Sequence, residues 1–191
     1  MEEKNLDKVF TIPNILSFCR VLLVPFIMWA YFTGRHYLCA AIVVVSFLTD
    51  VADGIIARKF NMVSALGKAL DPIADKLTLL SLLICISVDR HILYLLLGVF
   101  IIKEVCIGVE GLILLKLTGT TYSAKWYGKV TTFVLYALAI VLVLFKNLPQ
   151  IAVTSMLYTC IFANVLSLVL YSIMNIKRIV MIKRGEDDQT E

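Results

Sequence analysis

Four aspartates stand close together in the sequence, in two pairs, and long apolar segments lie on either side of them. The first pair is Asp50 and Asp53, and the second pair is Asp71 and Asp75. Residues three or four apart share a face of a helix, so each pair is expected to present both carboxylates in one direction. If two helix ends come side by side, four carboxylates gather and repel one another, and divalent cations relieve that repulsion. The spacing therefore predicts a metal-assisted phosphate site of one or two ions.

The residues around these aspartates follow a longer pattern, which reads Asp-x2-Asp-Gly-x2-Ala-Arg-x8-Gly-x3-Asp-x3-Asp. Its fixed positions are all matched here, at Asp50, Asp53, Gly54, Ala57, Arg58, Gly67, Asp71 and Asp75. This pattern resembles the signature of the CDP-alcohol phosphotransferase family of membrane enzymes. The alternative is that charged helix ends merely decorate a loop, but loop charges have no reason to keep helical spacing around glycines.

The composition of the chain is that of a membrane protein. It has 191 residues, of which 60% are hydrophobic and 17% charged, and its mean hydropathy is +0.90. A soluble domain of this size is more polar. We therefore predict an all-α integral membrane protein with a single domain over residues 1–191. An interfacial helix within residues 4–20, interrupted by Pro13, is expected before six transmembrane spans. The predicted spans are 17–33, 37–58, 72–89, 92–115, 128–146 and 150–174.

The basic residues predict the orientation of these spans in the cell membrane. If both termini are cytoplasmic, most of the 18 Lys and Arg residues lie on the inner side, and Arg35, Arg90 and Lys146 lie outside. The positive-inside rule favours this multi-pass arrangement. It places the aspartate motif at the cytoplasmic side, where nucleotides and Mg²⁺ are available.

The family resemblance implies roles for the four aspartates. It implies that Asp50 and Asp71 touch both of two Mg²⁺ or Mn²⁺ ions, that Asp53 touches the first ion and that Asp75 touches the second. It also makes Asp75 the general base. Pro72 directly follows Asp71, and proline is favourable in the first turn of a helix. Asp71 is therefore expected to cap the third span or to lie at a kink.

A second group of residues is expected to bind the CDP-linked lipid. Asn14, Ser17 and Arg20 recur at intervals of three and share a helix face, although helix capping with a snorkelling arginine explains this spacing equally well. A Pro-Asn-x-x-Ser/Thr-x-x-Arg stretch is typical of the family. The positions that the resemblance implies for the CDP-lipid are Asn14, Ile15, Leu16, Ser17, Gly54, Ala57, Arg58, Ser64 and Gly67.

Basic residues in and before the later spans are candidates for binding the acceptor. Lys103 lies within the fourth span beside Glu104, and ionisable groups in a membrane usually face a polar cavity. The alternative is a local structural pair. Lys125 and Lys129 precede the fifth span, where an ordinary basic loop is also expected. The family's Gly-Lys-x-Lys-Thr pattern keeps Lys129, whereas Thr131 replaces its second lysine.

The resemblance implies transfer of a phosphatidyl group from CDP-diacylglycerol to an alcohol, with release of CMP. Glycerol 3-phosphate is the favoured acceptor, because Lys103, Lys125 and Lys129 would attract an anion. Two alternatives stay open. One is another acceptor, foremost phosphatidylglycerol in cardiolipin synthesis, and the other is a divalent-cation transporter, which would not need the small and basic residues of the motif. Membrane lipids are expected partners, nucleic acid is not, and a homodimer is implied by the resemblance alone.

Overall fold

The protein is described by a computed structural model over residues 12–59, 65–118 and 126–183, with side chains at 15–49, 73–118 and 128–182. Helices account for almost all of these ranges, which confirms the all-α prediction for the described residues. They are α1 (Ile12–Phe32), α2 (His36–Lys59), α3 (Ala65–Asp89), α4 (Tyr94–Thr118), α5 (Trp126–Leu144) and α6 (Gln150–Lys183), with a short 3₁₀ turn at His91–Leu93.

Several of the described helices are apolar enough to lie in a membrane. Segments long enough to cross a bilayer are Ile15–Phe32, His91–Thr118 and Gln150–Ile182. Shorter apolar segments, His36–Thr49 and Gly128–Leu144, lie in α2 and α5. The first half of α3 carries the charged residues of the motif, which lower its hydropathy. These helices are those of a membrane protein.

The start of α1 corrects the boundary between the predicted interfacial helix and the first predicted span. α1 runs without interruption from Ile12 to Phe32, so residues 12–20 belong to the same helix as the first apolar segment. Pro13 does not break this helix because a proline in the first turn has no intrahelical hydrogen bond to lose. The remainder of the predicted interfacial helix, residues 4–11, lies outside the described residues.

Two other helices are longer than the predicted spans. α3 begins at Ala65, before the predicted start at residue 72, so Asp71 lies inside the helix and does not cap it. The Ala, Leu and Lys residues before Pro72 favour helix formation, which explains the early start. α6 continues to Lys183 rather than ending near residue 174. Charged residues mark the edge of an apolar segment, but a helix can continue past that edge into water.

The helices group into two compact units. The first comprises Met1–His91 and Ala139–Asn147, and within it α1 packs against both α2 and α3. Ala30, Ala40 and Ala74 are buried in this unit. Such small side chains let membrane helices approach one another closely.

A tight turn joins α1 to α2 in the first unit. Gly34 adopts a φ of 76°, a conformation that favours glycine. Its N–H donates to the carbonyl of Tyr31 at 3.0 Å, and the N–H of Arg35 donates to the carbonyl of Ala30 at 2.9 Å. This pair of bonds is a Schellman motif, which closes the end of α1.

The second unit comprises Ile92–Leu138 and Leu148–Glu191, and α4 packs along α6 within it. Its buried apolar side chains include Leu96, Phe100, Leu114, Leu135, Val153 and Leu157. Near the start of α5, a Cβ added at Gly128 would lie 2.5 Å from the hydroxyl oxygen of Tyr171 on α6. The glycine therefore lets α5 and α6 meet at this point.

Candidate active site

Both halves of the aspartate motif lie in helices of the first unit. Asp50 and Asp53 are in the last turns of α2, and Asp71 and Asp75 are in the first half of α3. The helical backbone keeps each pair on one face, at spacings of three and four residues. This confirms the helical setting that the spacing predicted. The carboxylate oxygens that these positions supply suit a hard divalent cation such as Mg²⁺.

Of the four motif aspartates, Asp75 is the one whose side chain the structure describes, and this side chain is partly buried. Its neighbour Ala74 is fully buried, whereas Ile73 is about half exposed, at 51%. The carboxylate of Asp75 thus lies at the border between the packed and the accessible sides of α3. A group in that position can meet a substrate while being held by its helix.

Two polar side chains of α1 lie inside the first unit. Ser17 and Arg20 are 1% and 2% exposed, and the Arg20 guanidinium donates to the Ser17 hydroxyl at 3.3 Å. Arg20 therefore does not snorkel toward the surface, and Ser17 lies within α1 rather than at its cap. Ile15, by contrast, is 49% exposed. Arg20 was not among the predicted site residues, although its spacing from Ser17 was the signal that points to it.

Several other predicted positions are described only by their backbone or not at all. Asn14, Gly54, Ala57, Arg58 and Gly67 lie in helices, but their side-chain contacts are outside the described part of the chain. Ser64 and Lys125 lie outside the described residues altogether. The roles assigned to these seven positions stay predictions.

Lys103, in the middle of α4, is buried and paired. Its side chain is 4% exposed, and its ammonium lies 3.0 Å from a carboxylate oxygen of Glu104. It also lies 5.5 Å from the centre of the Phe100 ring, within range of a cation–π contact. The neighbouring carboxylate balances the lysine charge in an apolar setting. This geometry fits the local structural pair that the sequence left open.

Lys129, the other described candidate for binding the acceptor, lies near the start of α5. Lys129 is exposed and directly follows Gly128, which contacts Tyr171. Thr131 is buried, and its hydroxyl lies 3.5 Å from the carbonyl oxygen of Ala163 on α6. The residue that replaces the family's second lysine therefore belongs to the contact between α5 and α6.

Glu110 forms a polar link that sequence reasoning did not assign. One carboxylate oxygen accepts a hydrogen bond from the Ser172 hydroxyl at 2.6 Å, and the other accepts one from the Asn175 amide at 2.8 Å. This link joins α4 to α6. A glutamate within an apolar segment was the available signal, but its partners are more than sixty positions away in the sequence.

Comparison with known proteins places this sequence in a family. The profile of the CDP-alcohol phosphatidyltransferase family matches residues 10–180. The match includes both halves of the aspartate motif and reaches all the described helices. It therefore covers most of the chain.

Individual relatives carry two kinds of name. The chain is 33% identical over 131 residues to the CDP-diacylglycerol--glycerol-3-phosphate 3-phosphatidyltransferase of Blochmanniella floridana, covering 65% of this chain and 69% of that protein. It is 28% identical over 169 residues to the Haemophilus influenzae protein of the same name, covering 85% and 91%. A shorter match, 40% identical over 82 residues, is to a cardiolipin synthase (CMP-forming) and mitochondrial hydrolase fusion protein of Schizosaccharomyces pombe. That match covers 43% of this chain but only 14% of the fusion protein.

Proposed function

We propose that this chain, which belongs to the CDP-alcohol phosphatidyltransferase family, transfers a phosphatidyl group from CDP-diacylglycerol to glycerol 3-phosphate and releases CMP. The observation that carries this proposal is the complete aspartate motif, set on two helices within the matched region. Family membership makes the chain a CDP-diacylglycerol-dependent phosphatidyltransferase. The cation-transporter alternative is therefore not retained.

The four aspartates are proposed to hold two divalent cations, Mg²⁺ or Mn²⁺. Asp50 and Asp71 would touch both ions, Asp53 the first and Asp75 the second. Ions held by these four aspartates would supply positive charge to neutralise the diphosphate of the CDP-lipid. The support on this chain is its donor chemistry, because all four ligands are carboxylates and each pair shares a helix face.

Asp75 is proposed to act as the general base. It accepts the proton of the acceptor hydroxyl as the hydroxyl oxygen forms a bond to the phosphorus that carries diacylglycerol. The bond between that phosphorus and the oxygen that bridges it to CMP breaks, and CMP leaves with the bonding electrons. The position of Asp75 at the border of the accessible side of α3 supports this role.

The CDP-lipid is proposed to bind along α1 and the motif. Gly54, Ala57 and Gly67 would leave room for the nucleotide, and Arg58 would pair with the diphosphate as a planar guanidinium can. Ser64 and the stretch 14–17 complete the proposed contacts. The exposed Ile15 offers an apolar surface to the lipid, whereas Ser17 faces the interior with Arg20.

The acceptor is proposed to meet basic residues in and before the later helices. Lys129 is exposed at the start of α5 and can attract the phosphate of glycerol 3-phosphate as a point charge. Lys125 is proposed for the same role. Lys103 is the weaker candidate because Glu104 already balances its charge. Two relatives named for glycerol 3-phosphate, matched over 69% and 91% of their lengths, support this choice of acceptor.

The arrangement in the membrane is proposed as well. Six spans in the cell membrane, with both termini and the motif at the cytoplasmic side, fit the distribution of basic residues. A single domain and a homodimer belong to the same proposal. In a variant whose five native cysteines are replaced by serine, a single cysteine is introduced at Thr33 or Asn147, and its labelling by a membrane-impermeant reagent tests the orientation. Labelling only after the cells are opened would contradict it.

A direct test of the activity uses the purified full chain with CDP-diacylglycerol and Mg²⁺. CMP release is expected to depend on added glycerol 3-phosphate and to be matched by formation of phosphatidylglycerophosphate. The Asp50→Asn variant, compared at equal protein concentration, controls for contaminating enzymes. CMP release at the same rate in this variant would contradict the proposal.

A further inference from the structure

A cavity of about 310 Å³ lies in the first unit, at the end of α3 that is remote from the motif. Its lining combines apolar, aromatic and charged side chains: Tyr31, Ile86, Asp89, Arg90, Leu142 and Lys146. Because an α-helix rises about 1.5 Å per residue, Asp89 lies roughly 21 Å along α3 from Asp75. None of the lining residues takes part in the proposed reaction, so the cavity needs an explanation of its own.

Three of the lining side chains form a connected polar group. One oxygen of Asp89, Oδ2, accepts a hydrogen bond from the Tyr31 hydroxyl at 2.8 Å. The same oxygen lies 2.9 Å from the ammonium of Lys146. The ammonium also lies 5.5 Å from the centre of the Tyr31 ring. Asp89 and Tyr31 therefore hold Lys146 in place, and the Asp89 and Lys146 charges balance.

Arg90 is the third charged residue of the lining, beside Asp89 and Lys146. Its guanidinium donates to the backbone carbonyl of Lys146 at 2.6 Å, and no carboxylate lies within ion-pair distance of it among the described side chains. One neutral acceptor leaves most of the five N–H donors of a guanidinium available. The cavity thus has one net positive charge and a planar donor group, which matches the geometry of a phosphate.

The cavity lies at the depth where lipid headgroups are found. The apolar segment of α1 ends at Phe32, next to the cavity residue Tyr31. Trp29 and Tyr37 nearby are 49% and 82% exposed, and exposed Trp and Tyr side chains mark the membrane–water interface. Phospholipid phosphates lie at this level of a membrane, and the glycerol backbone of such a lipid can lie against the apolar side chains of Ile86 and Leu142.

We propose that this cavity binds the phosphate group of a phospholipid headgroup through Arg90 and Lys146. Arg90 supplies the paired donors, Lys146 supplies a second N–H, and Asp89 with Tyr31 keeps the ammonium oriented toward the ligand. The site is separate from the aspartate motif. The proposal of this site does not depend on the proposed function, and lipid binding alone tests it.

Lipid titration followed by native mass spectrometry tests this site on the full chain in a non-ionic detergent. The probes are dioleoyl-phosphatidylglycerol, the diacylglycerol with the same chains, and inorganic phosphate, all without CDP-diacylglycerol. The variants are Arg90→Gln, Arg90→Lys and, as a matched control at the same end of the unit, Arg35→Gln. Arg35 stacks over Trp29 at 5.1 Å and lies outside the cavity. Size-exclusion chromatography and circular dichroism check that each variant is folded.

We expect saturable retention of phosphatidylglycerol that weakens about tenfold in Arg90→Gln, because a charge-assisted pair of hydrogen bonds is lost. Arg90→Lys keeps the charge but not the paired donors and is expected to fall in between, which preserves the test if Arg90→Gln does not fold. Arg35→Gln is expected to bind like the unaltered chain. Equal retention by Arg90→Gln and the unaltered chain would overturn the proposal. Diacylglycerol retained as well as phosphatidylglycerol, or inorganic phosphate bound at the cavity as tightly as the lipid, would also overturn it.

Discussion

Acidic residues occupy two different settings in the two units of this molecule. In the first unit, four of them come in pairs on single helices, Asp50 with Asp53 on α2 and Asp71 with Asp75 on α3. Asp89 in the same unit stands alone and has Tyr31 and Lys146 as partners. Two carboxylates on one helix face repel each other, and a divalent cation relieves that repulsion. These pairs are therefore suited to chemistry that uses a metal.

In the second unit, the acidic residues whose side chains are described, Glu104 and Glu110, stand singly and have protein partners. Glu110 accepts hydrogen bonds from Ser172 and Asn175 at 2.6 and 2.8 Å, and Glu104 lies 3.0 Å from the Lys103 ammonium. Each of these carboxylates is stabilised by the donors that surround it. We therefore propose that the paired acids serve the reaction, whereas the single acids hold helices together or balance a buried charge.

Removal of divalent cations is expected to have the largest effect on activity, because it acts on the paired acids of the first unit. Excess chelator should abolish CMP release, and Mg²⁺ or Mn²⁺ should restore it, because the paired carboxylates need cations to bind a diphosphate. Glu110→Gln serves as the control and should show the same metal dependence as the unaltered chain. Full activity in excess chelator would remove the metal from the proposed reaction.

Substitution of Asp75 by Asn is expected to lower turnover by about 10² to 10⁴, the usual range for loss of a general base. Binding of CDP-diacylglycerol should survive better in Asp75→Asn than in Asp50→Asn, since Asp50 is proposed to touch both ions. Steady-state kinetics and lipid binding measure the two effects. Near-normal turnover in Asp75→Asn would refute the role of this residue as the base.

Substitution of Lys103 by Met is expected to act on stability. It leaves the Glu104 charge without its lysine in an apolar helix, and breaking such a buried pair costs about 3 kcal/mol or more. The double variant Lys103→Met, Glu104→Gln should recover most of the loss in the free energy of unfolding. Chemical denaturation in micelles measures both. Unchanged stability with a raised KM for the acceptor would instead identify Lys103 as a substrate-binding residue.

Lys129→Ala is expected to have a smaller and purely functional effect. Loss of one exposed positive charge should raise the KM for glycerol 3-phosphate about tenfold and leave the KM for CDP-diacylglycerol unchanged. Lys116→Ala, at an exposed lysine near the end of α4, is the matched control. Equal changes in the two KM values, or an equal effect of Lys116→Ala, would contradict a specific contact with the acceptor.

Ser172→Ala is expected to have the smallest effect. It removes one hydrogen bond to Glu110 and should lower the free energy of unfolding by about 1 kcal/mol with turnover nearly unchanged. Thermal unfolding in micelles, with Ser155→Ala on the exposed side of α6 as control, measures it. A large loss of turnover without a change in stability would show that Glu110 takes part in the reaction rather than only in holding α4 and α6 together.

Local patterns in the sequence predicted much of the fold and the helical setting of the aspartate motif. The spacing of the four aspartates fixed their shared helix faces, because helical periodicity is a local property. Apolar segments likewise predicted the helices, although not where each one ends. α3 begins at Ala65 because helix formers precede Pro72, and hydropathy alone does not register that preference.

The environment of each charged residue could not be predicted in the same way. Arg20 and Lys103 are single basic residues in apolar segments, and both are almost fully buried in the folded chain. Whether such a residue faces lipid, water or another helix depends on tertiary packing. The partners of Glu110 lie on α6, and the lining of the cavity near Asp89 comes from α1, α3 and the end of α5. Such contacts between distant segments leave no spacing signal in the sequence.

The acceptor is tested most directly by a competition between alcohols on the purified chain. Glycerol 3-phosphate and phosphatidylglycerol are supplied together with CDP-diacylglycerol and Mg²⁺, and mass spectrometry identifies the lipid product. We predict phosphatidylglycerophosphate as the main product, formed in equal amount to CMP and lowered by about 10² to 10⁴ in Asp75→Asn. Cardiolipin as the main product, with no phosphatidylglycerophosphate, would contradict glycerol 3-phosphate as the acceptor.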